Sequence, residues 1–262
     1  MKRIIAVTNQ KGGVGKTTTT INLATCLAQA GKKVLVADMD PQGNTTSGFG
    51  VDKHGLGRSI YTLLLGESYL EEVALNIENL ENLNLLPCNI DLAGAEIEML
   101  DLPQREFRLR EVFNHAKYLY DYILIDCPPS LNILTLNALC AADSVLVPIQ
   151  CEYYALEGLT QLMHTINLVH AKLNTRLVLE GVVFTMFDAR TNLSAQVVDE
   201  VKTHLPEHTF KTIIPRNVRL SEAPSHGLPI TLYAPTSKGA EAYELLAQEV
   251  IAKNFLAEEP IA

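Results

Sequence analysis

The chain has no excess of positive charge, no long apolar run and no paired-cysteine pattern, and each absence removes a class of function. Lysine and arginine number 21 against 30 aspartates and glutamates, a net charge of −9. That balance argues against a protein coating nucleic acid with its whole surface, because non-specific binding depends on cations meeting phosphates. A local basic patch remains compatible with it. Near the N-terminus only Ile4 to Val7 are apolar before polar residues return, so no signal-peptide core is present, and nothing elsewhere approaches a membrane span. The five cysteines (Cys26, Cys88, Cys127, Cys140, Cys151) are odd in number, show no C-x-x-C spacing and mostly lie in apolar runs. They read as reduced structural thiols of a cytoplasmic protein. No repeat, low-complexity tract or Pro/Ser-rich linker divides the chain. With 262 residues, 47% hydrophobic, it can bury a sizeable core, and the expected organisation is one domain over 1–255 followed by a frayed tail, 256–262.

What is present is an alternation of short β-branched runs with amphipathic stretches, the pattern of βαβ units and of a mostly parallel, twisted α/β sheet covered by helices on both faces. The expected strands are Arg3 to Val7, Val34 to Asp38, Tyr122 to Asp126, Ser144 to Ile149 and Leu179 to Thr185, with Leu83 to Leu86 a weaker sixth. From Leu159 to Leu173 apolar residues recur at three- and four-residue steps, marking the core face of a helix. Gly31, followed by Lys32 and Lys33, closes the first long helix.

Directly after the first strand comes Thr8-Asn9-Gln10-Lys11-Gly12-Gly13-Val14-Gly15-Lys16-Thr17-Thr18, then a helical stretch. Glycines let successive backbone N–H groups turn inward around a triphosphate, and the helix N-terminus adds partial positive charge where the anion sits. Lys16 would contact the β- and γ-phosphates of ATP, and Thr17 would offer its hydroxyl to Mg²⁺. The usual phosphate-loop pattern, G-x-x-x-x-G-K-[ST], fails by one residue, since Gln10 stands where glycine belongs and a second lysine, Lys11, follows.

In an open parallel sheet ligands bind beyond the carboxyl ends of the strands. Two expected strands close there on aspartate, in Asp38-Met39-Asp40-Pro41-Gln42-Gly43 and in Asp126-Cys127-Pro128-Pro129. Asp126 is the candidate for the Mg²⁺ shell, with Asp38 supporting the metal side from behind. Asp40 is the candidate for orienting, or partly deprotonating, the water that attacks the γ-phosphate. Helix capping is the structural alternative for a lone aspartate at a strand end.

Together KGGVGKTT, DMDPQGN, DCPPS, PIQCEYYALEGL, TMFDARTNLS and IPRNVRLSEAPSHG closely resemble the ParA/Soj partitioning ATPases, short chromosomal type, of the deviant phosphate-loop class, over about Lys2 to Val250. The resemblance implies Mg·ATP bound between two subunits of a homodimer, with Lys11 reaching the partner's phosphates. It assigns Lys16, Thr17 and Thr18 to phosphate and magnesium, Asp40 to hydrolysis, Asp126 to the metal, and the segment Pro215 to Asn217 to the adenine. The loop residues Gly12, Gly13, Val14 and Gly15 complete the nucleotide-binding set. It further implies non-specific DNA binding by the ATP dimer on the nucleoid, and hydrolysis stimulated by a ParB-like centromere-binding partner. Arg190 carries over for DNA; Arg219, Lys211 and Lys202 are added from clustering in sequence alone. No N-terminal helix-turn-helix extension is expected, since the first strand begins at residue 3.

Three rival readings make different demands. A membrane-surface switch like MinD needs a basic amphipathic C-terminal helix, whereas Glu241, Glu244, Glu249, Glu258 and Glu259 make this end acidic and no membrane partner is expected. An iron–sulfur ATPase needs exposed cysteines, of which Cys88 and Cys127 are the nominees. A small-molecule ligase or kinase needs a further acid, base or nucleophile cluster.

Overall fold

The computed structural model describes residues 2–152 and 155–256. Six of the eight strands are those expected, with small extensions: β1 Arg3–Val7, β2 Val34–Asp38, β4 Leu80–Leu86, β5 Tyr122–Asp126, β6 Ser144–Gln150 and β7 Val178–Phe187. Two were not anticipated, β3 Leu75–Ile77 and β8 Thr209–Pro215. All eight form one sheet in the order β3-β4-β2-β5-β1-β6-β7-β8, parallel except for the β3–β4 pair. The expected tail lies outside the described residues beyond Leu256, where the last helix, Lys238–Leu256, ends.

Alternation along the strands divides the core in two. On β1, Ile4 and Ala6 join one apolar cluster and Ile5 and Val7 the other. The first cluster is roofed by helices Arg108–Ala116, Ile133–Ala141 and Ala155–Lys172, and the second by Lys16–Gln29 and Lys238–Leu256. Leu162 and Ile166 on one side and Leu27 and Leu246 on the other are fully or almost fully buried, each contributing about 1.5–3 kcal/mol of burial free energy. The predicted periodic face of Ala155–Lys172 is this core face. Gly31 ends Lys16–Gln29 as expected: it adopts φ +80°, its N–H donates to Ala28 O and that of Lys32 to Leu27 O, the paired bonds of a helix-closing glycine.

The sheet order sets the site. Central β1 is flanked by β5 and β6, and Val7 lies level with Asp126 while Asp38 also lies level with Asp126 on β5. Three strand ends therefore stop at one height around the start of the glycine loop. On β6, Pro148 lies beyond the last residue paired with β1, Leu146, so its missing N–H breaks no ladder bond there, and its carbonyl accepts from Asn9 Nδ2 at 2.8 Å.

Candidate functional site

The loop after β1 is built by glycine geometry. Gly13 and Gly15 adopt φ +74° and +88°, a region closed to most side chains, and Gly15 leads directly into helix Lys16–Gln29. Thr185 of β7 holds the loop from outside, its hydroxyl donating to Val14 O at 2.8 Å. Gly12, Gly13, Gly15, Lys16, Thr17 and Thr18 line one wall of a cavity of about 540 Å³; Asp40 and Gln42, then Pro128 and Asn132, line the facing walls. A second cavity, about 330 Å³, shares Gly15, Thr18 and Met186 with the first and is lined further on by Pro215, Arg216 and Asn217. The two adjoin, one at the glycine loop and the other at the segment expected at the adenine.

Asp126, fully buried, gathers the hydroxyls of Thr17 and Thr45, each at 2.7 Å from Oδ2. Asp38, also fully buried, accepts from the backbone N–H and the hydroxyl of Thr46 at 2.8 and 2.7 Å. Thr45 and Thr46 lie on the short helix Asn44–Gly48, so this helix is tied to both carboxylates. Its turn depends on Gly43, at φ +61°, where a Cβ would stand 2.8 Å from Cys88 O. Asp40 is only partly buried; its Oδ1 accepts from Gln42 N–H at 3.0 Å, and Gly43 N–H donates to its carbonyl at 2.8 Å.

Burial pushes both inner carboxyls above the ordinary carboxylate range. For Asp38 the neighbouring Asp126 charge adds to the effect, whereas hydroxyl donation from Thr45 and Thr17 restrains that of Asp126. A raised carboxyl stabilises the fold while protonated. That contribution is complete below about pH 4 and is lost as pH rises through about 6 and about 7. The nucleotide-free protein is therefore expected to melt several degrees lower at about pH 8 than at about pH 5, and Asp38→Asn to flatten the profile. Thermal scans of both proteins across this range test it; parallel curves would contradict it.

The two lysines of the loop are separated. Lys16 is buried, its Nζ donating to Lys11 O at 3.0 Å, and burial lowers its pKa against the opposing pull of Asp126. Lys11 does not line the cavity of its own loop; its half-exposed ammonium is paired with Glu152, just past the end of β6. Glu152 could not be singled out from sequence, because its relation to Lys11 exists only once β6 lies beside β1. Met186 was equally unmarked: a non-glycine residue at φ +52°, it stands where the two cavities meet, a strained backbone of the kind that persists where a site requires it.

The four expected DNA contacts are not gathered on one patch. Arg190 follows β7 and Arg219 follows β8, both at the carboxyl edge of the sheet, exposed and paired with Asp188 and Glu222. Lys202 lies in the last turn of helix Asn192–His204, which returns the chain about 18 Å toward the opposite edge. Lys211 lies on β8 beside Glu249, whose carboxylate accepts from the backbone N–H groups of Lys211 and Thr212. Clustering in sequence did not become clustering in space for Lys202 and Lys211. For the iron–sulfur reading, Cys88 and Cys127 are fully or almost fully buried, so neither presents a thiol at the surface. Among the described residues no helix is long and apolar enough to cross a membrane.

Comparisons with known proteins give the same picture from a different direction. A family profile described as an AAA domain matches residues 2–179. The sporulation initiation inhibitor protein Soj of Bacillus subtilis is 56% identical over 254 residues, 97% of this chain and 100% of that protein. The chromosome partitioning protein ParA of Myxococcus xanthus is 53% identical over 252 residues, 96% of this chain and 89% of that one. Among solved structures, cobyrinic acid a,c-diamide synthase from Mycobacterium smegmatis, with bound ADP and magnesium, superposes with a TM-score of 0.86 at 37% identity, covering 99% and 98% of the two chains.

Proposed function

Because this chain belongs to the Soj/ParA family of chromosome-partitioning ATPases, we propose that it is a switch whose ATP-bound form is a homodimer that binds DNA without sequence preference. Lys11 is the observation that supports this reading best. A second loop lysine stays out of its own phosphate cavity, held by the surface carboxylate of Glu152, and so would be available to a neighbouring subunit. In that role it would act as a cation supplied in trans.

The rest of the site fits Mg·ATP. Backbone N–H groups from Gly12 to Thr18 would hold the phosphates, Lys16 would neutralise them from a buried position, and Pro215 and Asn217 would receive the base. The oxygen donors of Thr17 and Asp126, 2.7 Å apart, suit a hard divalent cation, with Asp38 supporting them through helix Asn44–Gly48. When bound, Mg²⁺ would supply positive charge to offset that of the phosphates. Asp40 would orient the attacking water with the carboxylate oxygen that Gln42 leaves free. A ParB-like centromere-binding partner would stimulate this hydrolysis, and the ATP dimer would reside on the nucleoid through Arg190 and Arg219.

Light scattering and DNA retention with ATP, compared with ADP, test the reading. A wild-type chain that stays monomeric with ATP and ignores DNA would sink it. Lys11→Ala is expected to bind nucleotide within a few-fold of wild type yet fail to dimerise, and a dimer formed normally by this variant would remove its role in trans. Arg190→Ala is expected to keep the ATP dimer, weaken DNA binding about tenfold and reduce the salt slope by about 0.9. An unchanged slope would show that Arg190 meets no phosphate.

A further inference from the structure

At the amino edge of the sheet, away from both nucleotide cavities, a concavity of about 400 Å³ is lined by Arg110, Asn114 and Lys117 on one side and Lys172, Thr175 and Arg176 on the other. Its placement follows from the chain path: Lys117 and Arg176 lie shortly before β5 and β7, whereas the glycine loop follows the carboxyl end of β1. The length of β5 sets the two regions roughly 17 Å apart along the strand direction.

Four cations converge here, and among the described residues none has a carboxylate within ion-pairing distance. Elsewhere six of the seven arginines, Arg3, Arg58, Arg105, Arg108, Arg190 and Arg219, each hold an acid among the described residues, Arg216 being the exception. In a chain of net charge −9, four unpaired cations on one concavity constitute a local reversal of sign.

Helix-end stabilisation explains part of the cluster. Lys172 lies in the last turn of Ala155–Lys172 and Lys117 just past Arg108–Ala116, where cations complement the helix dipole. Arg110 breaks that account, since it lies in the first turn of its helix, where a cation opposes the dipole. The adjacent Glu111 pairs with Arg108 rather than with it. Arg110, Asn114 and Lys117 fall at i, i+4 and i+7, one helix face, and the Arg110 guanidinium rests 5.2 Å from the centre of the Phe107 ring. The opposite wall is also fixed. Buried Asn174 donates to Leu139 O and Ala142 O at 2.9 and 2.7 Å, and its side-chain oxygen accepts from Arg176 N–H at 3.3 Å, holding the turn that carries Thr175 and Arg176.

We propose that this concavity is a second anion site, for a small molecule carrying two or more phosphate groups. Cations on two walls, Arg110 and Lys117 facing Lys172 and Arg176, give separate phosphate groups of one ligand a partner each. Neutral donors at Asn114 and Thr175 match phosphate oxygens between the charges.

The test uses the full chain with its nucleotide site saturated by Mg·ADP, Mg²⁺ in excess, titrated calorimetrically with inorganic tripolyphosphate. Binding is expected, at least about tenfold tighter than that of orthophosphate. Arg110→Gln combined with Arg176→Gln should weaken it at least tenfold with ADP affinity unchanged, whereas Lys53→Gln combined with Lys211→Gln should leave it as it was. No tripolyphosphate binding beside Mg·ADP, or equal loss in the control pair, would overturn the proposal. So would a first variant that loses binding of a short duplex yet keeps tripolyphosphate. Should that variant lose ADP binding, Lys117→Gln with Lys172→Gln is judged by the same criteria.

Discussion

Lys16→Ala is expected to weaken Mg·ATP binding at least about 100-fold, the largest single-residue effect on nucleotide affinity in this protein. Lys16 is buried at the entrance to its helix, lines the cavity, and spends one ammonium hydrogen on the Lys11 carbonyl. Two donors are left for phosphate oxygens. Charge-assisted bonds contribute roughly 1.5–3 kcal/mol each, and about 2.8 kcal/mol corresponds to two decades of affinity. Removal also leaves the buried Asp126 without the cation that helps to hold its charge. Titration with a fluorescent nucleotide measures the effect, and a variant within threefold of wild type would show that the backbone cradle suffices alone. The contrast with Lys11→Ala separates the two lysines: one should control affinity, the other assembly.

Asp40→Ala is expected to slow hydrolysis by about 10²- to 10⁴-fold, the usual range for a positioned acid–base group, while Mg·ATP affinity stays near wild type. The residue lines the cavity with no hydrogen bond or ion pair to Lys16 or Asp126 among the described residues, and its backbone is fixed by the turn at Gly43. Loss of its carboxylate removes a water acceptor, the bond from Gln42 N–H and a minor charge effect on Lys16 and Asp126. The ATP state should consequently persist, with DNA-bound dimer accumulating. Single-turnover phosphate release provides the measurement; residual turnover within tenfold of wild type would assign the water to another acceptor.

Legibility in the sequence followed burial. The central strands β1, β2, β5, β6 and β7 are shielded on both faces, so their apolar runs show through any local preference, and Asp38 and Asp126 stand out against them as polar interruptions. Edge strands gave weaker signals. β8 reads Thr-Phe-Lys-Thr-Ile-Ile-Pro, with Lys211 exposed, and β3 is three residues long; charge, proline and brevity are the devices by which edges avoid further pairing. The phosphate loop was readable because its chemistry is local, every functional group lying within a few residues. Glu152 and Thr45 were not, since each acquires its partner through strand order, β6 beside β1 and β2 beside β5, and Thr46 meets Asp38 only once the turn at Gly43 folds the chain back. Lys202 and Lys211 stand apart from Arg219 for a related reason, since β8 carries the chain from their end to the carboxyl edge before Arg219 is reached.

The level ending of β2 and β5, with Asp38 opposite Asp126, makes the site a length gauge for the loops that feed it. Because side chains alternate along a strand, a slip of one residue would swing either aspartate to the opposite face, exchanging a carboxylate for Ala37 or Ile125. Insertions before these strands can be absorbed in the loops, but one placed between a strand and its aspartate cannot. Tolerance to inserted residues should therefore change abruptly across a single peptide bond at each of these two strand ends.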